Sequence, residues 1–516
     1  MAGNAPHSAD RSLRERAAAS PWSRRMFLGA SVGTAVGCVA AAAQAHVPPG
    51  RLESGQRRPR LNDPILFLVN HITPGFSQPT YQTAKQLGYL PFLEWQLAPE
   101  AISDAPVDQF LTQFASLPMS HQELYEQYTQ NGLDSVPYYE LKAATVYRAA
   151  FSARQLFERM VEFWSNHFSI YHDKVGLKAI KTVDDREVIR QHALGKFPDM
   201  LVASAHSGAM LVYLDNYLNV VGSPNENYAR ELLELHTLGV HGGYTEADVK
   251  EVARCLTGWT IQGAPSLGAF AYDDSQHDQG SKTVLGQVIP PNGGQQDGET
   301  VLQMLALHPS TAAFVARKLC RWLLAYEPDA HLVARVAAMY LSTGGDIKAM
   351  IRVIMDPWHI RSADVFDQVK FRTPYHFVIT LLRATQAEVT DLSGLLSALQ
   401  ALNHYPFGWV SPDGYPDQLA AWTSSLLPRW SFASDLMNKQ IHGTTVKWAK
   451  IQELLGDVPD DQLGEAVNRI LAGGAMARGD VFELQAYIDY FPPPRLWPAM
   501  RQVLAVAASC ASHQYY

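Results

Sequence analysis

Between Asn225 and Gly239 the chain reads NENYARELLELHTLG, which places two Asn, three Glu, an Arg, a Tyr and a His in one short segment. Gly222-Ser223-Pro224 precede it and supply an N-terminal cap, and Gly239 can end the helix. On such a helix Asn227, Glu231 and Glu234 share one stripe at spacings of four and three, while His236 lies on the face of Leu232 and Leu233. Two carboxyls so placed suit general acid–base work. With a histidine they equally suit a hard or borderline metal. A plainer account uses the same residues: Glu226–Arg230 and Arg230–Glu234 pair at four-residue spacing, as on any exposed, salt-bridged helix. Neither His-Glu-x-x-His nor the Glu-x-x-His repeat of carboxylate-bridged di-iron bundles is present.

Three further clusters carry chemically able groups. In EFWSNHFSIYH, Glu162 and Asn166 share one helical face and Phe163 and His167 the next, the latter pair also reading as a core histidine beside Phe163 and Trp164. Asp185-Arg186-Glu187 stands with Arg190 and His192, a grouping that surface charge pairing also explains. His206, Asp215 and Asn216 flank a Met-Leu-Val-Tyr-Leu stripe that reads first as core. The sequence contains no Gly-x-Ser-x-Gly elbow, phosphate-cradling glycine loop, dinucleotide fingerprint or Cys-x-x-Cys-His haem site.

The elements that must position these groups are helical. Apolar residues recur at three- and four-residue spacing over Pro64–Leu97, Val107–Ser116, Tyr138–Tyr171, Arg186–Asn219, Asn225–Leu238, Glu246–Gly258 and Gly298–Ala325. The pattern resumes over Asp329–Met355, Phe371–Ala384, Leu392–Leu402, Pro428–Leu455, Asp460–Leu471 and Pro494–Ser509. Strand-like alternation is confined to Gly258–Ile261 and Phe270–Tyr272. The fold class expected is all-α, a large multi-helix, bundle-like domain over 63–516 with long loops and very little strand; a sub-boundary would fall within 386–428. Two irregular stretches interrupt the helices: Thr260–Gly298, which includes His277-Asp278, and Tyr405–Trp422, YPFGWVSPDGYPDQLAAW. Structureless segments of this length in a helical protein tend to be functional, and both are expected to rim a cleft.

At the N-terminus, Ser23-Arg24-Arg25-Met26-Phe27-Leu28 fits the twin-arginine consensus and Met26–Ala43 is a moderately apolar run. Ala43-Gln44-Ala45 then offers a signal-peptidase site, so residues 1–45 read as a cleaved twin-arginine signal and 46–62 as a linker. A periplasmic or secreted protein is expected, with no stable membrane span after cleavage. Cys38, after Ala35-Val36-Gly37, makes a poor lipobox, and lipid anchoring is the lesser alternative. Hydrophobic content of 47% and charged content of 18% describe an ordinary globular chain. The formal charge of −8, with no basic stripe, argues against a nucleic-acid partner. Cys255, Cys320 and Cys510 are too scattered for a disulfide framework or a cysteine zinc site.

FWSNHF, DREVIRQHALGKFPDML, YLDN, NENYARELLELHTLGV, GGYTEADVKEVARCLTGWTI and HDQGSKTVLG occur in this order. Together they resemble the bacterial domain-of-unknown-function family numbered 1800, from about Asp63 to the terminal ASCASHQYY. The resemblance implies export, often by the twin-arginine route. It also implies a partner in an exported sulfatase-like family, numbered 1501, whose members are commonly encoded alongside. It brings no established catalytic residues.

The expected site is a Glu/His/Arg-lined cleft that adds Glu162, Asn166 and Asp278 to the groups assigned roles below. Its most direct use is hydrolytic or lytic cleavage of a polysaccharide-like substrate, with Glu231 or Glu234 as general acid and a second carboxylate as base or nucleophile. His236, His167, Arg186 and His192 complete the catalytic set; Asn225, Glu226, Asn227, Trp259, Trp409 and Trp422 would hold substrate, the tryptophans by stacking. Two other readings stay open. One is a metal-dependent oxidoreductase with a divalent or redox metal on His167, Glu231, His236 or His277, loaded before export. The other is a non-enzymatic helical partner of the sulfatase-like protein.

Overall fold

A computed structural model describes residues 63–174, 176–263, 267–360, 369–491 and 497–516. The twin-arginine segment, Cys38 and the linker lie outside the described residues. Helices dominate, and strand is limited to three two-stranded antiparallel ribbons: Trp259–Ile261 with Phe270–Tyr272, Lys282–Val284 with Gln287–Ile289, and Glu388–Val389 with Thr444–Thr445. The fold is all-α, as the periodicity requires. No described helix is long and apolar enough to cross a membrane.

Local chemistry divides the long periodic stretches into shorter helices. Thr73 and Ser77, at a cap on either side of Gly75, split Pro64–Ile72 from Gln78–Leu87, and Gly88 at φ 87° starts Tyr89–Gln96. Pro309 begins a new helix after Leu307-His308, where a single run over Gly298–Ala325 is predicted. Gly344 in the left-handed region ends Ala330–Thr343, and Asp346 then caps Ile347–Ile354. Thr245 and Asp248 form a reciprocal capping box at Glu246–Cys255. Periodicity measures which residues face the core, whereas these caps decide where the chain turns.

One apolar core runs from Leu66 to Ala508. At its centre lies Pro374–Ala384, every residue of which is buried, as befits a helix packed on all sides. Ser135–Phe151, Ser393–Ala401, Leu426–Met437 and Leu463–Ala472 pack around it. The C-terminus is tied into the same core: Lys370 and Tyr516 exchange two backbone hydrogen bonds of 2.9 Å, and Tyr516 accepts from Arg159 Nη2 at 2.9 Å.

Two stretches leave α-geometry for π-helix, Asp185–Arg190 and Leu232–Thr237. In the second, Leu238 N–H donates to Leu233 O and Thr237 Oγ1 to Leu232 O, both five residues back. Such wide turns concentrate at functional sites. This one begins immediately after Glu231.

Thr260–Gly298 is less open than its composition predicts. It folds into two of the ribbons, and His277, Lys282 and Asp297 form a buried cluster inside them, with His277 Nε2 3.1 Å and Lys282 Nζ 2.5 Å from Asp297 Oδ2.

Six buried histidines, His71, His167, His236, His376, His404 and His513, are held below their ordinary range, chiefly by burial; His71, His236 and His404 fall to about 3. Each stays neutral when folded and takes up a proton on unfolding, so each withdraws stability as pH falls below about 6.5. The raised carboxyls of Glu162, Glu231 and Asp435 act oppositely, holding in the folded chain a proton that the unfolded chain has lost. The histidines outnumber them. Between pH 6.5 and 5 the stability is therefore expected to fall by more than ~1.4 kcal/mol per pH unit, read as a decreasing urea midpoint; a flat midpoint would contradict the neutral, buried state of these rings.

Candidate functional site

The Gln155–His167 helix presents its two faces to different surroundings. On one, His167 is buried among Trp164, Phe168 and Phe197; Arg159, 1% exposed, lies over the Trp322 ring and on the stripe of Glu162. On the other, Glu162 and Asn166, one turn apart as predicted, line a narrow cavity that leaves about 50 Å³ open to a water-sized sphere. Burial pushes the Glu162 carboxyl up to about 7. Its Oε2 lies 2.8 Å from His376 Nε2 and 3.9 Å from Arg159 Nη1. Arg159 in turn contacts the His376 ring.

The far wall of this cavity is the aromatic loop after His404. Tyr405 and Tyr415 bond to each other across the loop, and Tyr415 N–H donates to Asn166 Oδ1 at 3.3 Å. Phe407 O faces His172 Nδ1 at 3.0 Å, Val410 O accepts from Tyr213 O–H at 2.8 Å, and Asp417 pairs with the buried Lys370 at 2.7 Å. A loop with this many polar anchors is fixed in place despite its composition. Gly414 is one condition of that placement: it has φ 75°, and a Cβ there would lie 2.2 Å from Asn166 O. Gly414→Ala combines left-handed strain of about 1 kcal/mol with a backbone clash. It is expected to detach the loop from Asn166, seen as faster proteolysis between Tyr405 and Trp422; protection equal to the parent's would show the contact to be dispensable.

On its other side the same loop closes a second, open cleft of about 470 Å³, lined by Val410 and Pro412 with Tyr171, Asp173, Lys174, Tyr213, Asp215, Asn227 and Glu231. Asn227 and Glu231, one turn apart, face this cleft, as their spacing allows. Burial, then Glu234, and also Asp413 raise the Glu231 carboxyl above its ordinary range. Lys174 Nζ pairs with Asp215 Oδ1 at 2.6 Å and donates to Tyr213 O at 2.7 Å. Asp215 has φ 61°, a left-handed conformation rare outside glycine. Strained backbone of this sort gathers where a side chain must point into a site. The cleft thus joins a raised carboxyl at the head of a π-turn to a lysine-paired carboxylate on a strained turn.

The remaining candidates are placed elsewhere. Glu234 lies behind Glu231 and meets Tyr244 O–H at 3.3 Å. Glu226 pairs with Arg230 at 3.3 Å, but Arg230 grips Glu246 rather than Glu234. Asn225 caps its own turn by accepting from Asn227 N–H. His236 is fully buried, its ring centre 6.3 Å from that of His167, whose Nε2 contacts His236 O. Arg186 donates to Leu117 O and Met119 O, and His192 is half-buried near Asp199. His277 belongs to the buried ribbon cluster, and Asp278 pairs with Arg254 at 2.8 Å. Of the tryptophans, Trp259 is fully buried against His206, Trp422 stacks on His404 in the core, and Trp409 alone lines a cavity. The expected single concavity is therefore two neighbouring ones, and His167, Glu231, His236 and His277 do not converge. Among the described residues no group of three or more His, Cys, Asp or Glu is arranged to hold a metal ion.

Comparison with family models matches residues 67–515 to DUF1800, described as a protein of unknown function. The chain belongs to this family. No curated protein and no solved structure matches it. The family match takes in every residue of both cavities and the whole aromatic loop between them.

Sequence reasoning overlooked Lys174 and Asp173, and it grouped Asp215 with His206 and Asn216 around an apolar stripe rather than with Glu231. It also overlooked Arg159, His376 and Lys370, which reach Glu162 and the loop from distant parts of the chain. The one available signal was the aromatic loop itself, singled out as a cleft rim.

Proposed function

We propose that the protein is an exported acid–base enzyme that cleaves a polysaccharide-like substrate in the open cleft. The observation that carries this reading is the pairing of Glu231, raised by burial, with Asp215, held by Lys174, on one solvent-reachable surface. Two carboxyls whose surroundings differ in this way divide the roles of acid and base. Glu231 carries the proton for the leaving oxygen. Asp215 takes a proton from the attacking water, so that water is added across the glycosidic C–O bond and both carboxyls exchange protonation state.

The lining supports this substrate class. Asn227, Lys174, the carboxyls and the hydroxyls of Tyr171 and Tyr213 offer many donors and acceptors in an open trough. Three acids to one lysine disfavour a phosphorylated or sulfated polymer and favour an uncharged or amine-bearing one. Incubation of the purified protein with a panel of neutral, amino-sugar and sulfated polysaccharides tests this, read as new reducing ends for hydrolysis or as ultraviolet absorbance of an unsaturated sugar for lysis. Cleavage of neutral or amino-sugar polymers is expected; cleavage confined to sulfated ones, or none across the panel, would sink the reading.

A further inference from the structure

The narrow cavity around Glu162 is distinct from the open cleft, and the proposed cleavage leaves it unused. Glu158 and Glu162 are the acidic groups on its surface, the second ionised above its raised value of about 7; no Lys or Arg lines it. The balancing cations stand behind the wall. Arg190 clasps both oxygens of Glu158 at 3.0 and 2.9 Å, whereas Arg159 only approaches Glu162, at 3.9 Å. Glu162 is therefore the less compensated charge, and His376 at 2.8 Å, held neutral by burial, adds none.

Much of the remaining wall is aromatic. Tyr375, Tyr405, Trp409 and Tyr415 all line the space, with Trp409 and Tyr415 ring centres 5.2 Å apart. Aromatic faces attract a cation through the ring quadrupole, and several rings with a carboxylate form the recurrent cage for ammonium groups. The loop already provides one instance, since Lys142 Nζ lies 5.9 Å from the centre of the Tyr405 ring. The size is appropriate: about 50 Å³ corresponds to roughly four water positions, the scale of a methylated ammonium and too small for a sugar ring.

We propose that this cavity is a binding site for a small organic cation, an amine or methylated ammonium group, caged by the aromatic loop and neutralised by Glu162. An anion is disfavoured by the two carboxylates. A neutral apolar group would fill the space and leave the Glu162 carboxyl without a counter-charge.

Titration of the full-length protein with tetramethylammonium chloride at about pH 8 and constant ionic strength, where the Glu162 carboxyl is ionised, followed by Trp fluorescence and by calorimetry, tests this. Sodium chloride and 2,2-dimethylpropan-1-ol, a neutral molecule of similar shape, serve as controls. Saturable binding of the ammonium is expected, on the order of tenfold tighter than of the alcohol, and weakened to a similar degree by Glu162→Gln and by Trp409→Leu. If Glu162→Gln does not fold, Trp409→Leu decides. Equal affinity for the alcohol, absence of saturable binding, or ammonium binding unchanged in the folded variants would overturn the proposal. None of these readouts depends on turnover, so failure here is separable from failure of the proposed cleavage.

Discussion

Replacing Glu231 by Gln is expected to lower the rate of glycosidic cleavage by about 10²–10⁴-fold, the usual contribution of a positioned general acid. The amide keeps the size and most hydrogen bonds of the side chain but has no proton to give the leaving oxygen. Affinity for uncleaved substrate should change little, so the loss should appear in kcat rather than KM. The raised carboxyl also fixes the sign of the pH dependence. Glu231 must be protonated to act, so activity declines as pH rises through its elevated folded value, and that alkaline limb disappears in the variant. Glu234 contributes to the elevation, so Glu234→Gln should move the limb to lower pH while leaving most activity below it. Equal kcat for Glu231→Gln and the parent would remove Glu231 from the chemistry.

Lys282→Met is expected to destabilise the fold by about 3–5 kcal/mol, the cost of removing one partner of a buried ion pair. Lys282 Nζ reaches Asp297 Oδ2 and Asp278 O, with His277 against the same Asp297, and all three side chains of the cluster are 0–2% exposed. Without the ammonium, Asp297 keeps the His277 imidazole as its remaining side-chain partner in a buried site. Pairing the change with Asp297→Leu removes the stranded carboxylate and should recover much of the loss, a coupling that identifies charge rather than packing as the cause. Urea unfolding of the two single variants and the double variant measures this. A double variant no more stable than Lys282→Met alone would attribute the effect to packing.

Several features were legible because they are local. A 3.6-residue period gives the helical class, and the placement of Asn227 with Glu231, or Glu162 with Asn166, on a common face follows from it. Tyr405–Trp422 could be recognised as a rim from length and composition, since a long loop without regular structure needs a reason to persist. Other expectations failed where the determining contact was remote. Trp259 and Trp422 have the composition of stacking platforms yet are buried, and the sequence around them does not distinguish an aromatic that faces solvent from one that fills the core. His277, read as a group delivered by an open loop, is enclosed by two ribbons, of which the second, Lys282–Val284 with Gln287–Ile289, has strands too short to leave a pattern. The π-turn over Leu232–Thr237 moved Glu234 and His236 off the positions that α-helical spacing assigns them.

By itself the sequence determined that the chain is helical, where most of its helices lie, and which segments are dense in polar groups, because period, caps and composition are properties of neighbouring residues. Only the tertiary structure decided that Glu162 meets His376 from 214 residues away, that Lys174 pairs with Asp215, and that one aromatic loop separates two cavities. The physical reason is that the protonation and reach of a carboxyl depend on solvent exposure and the nearest charge, and both are set by which helices pack together.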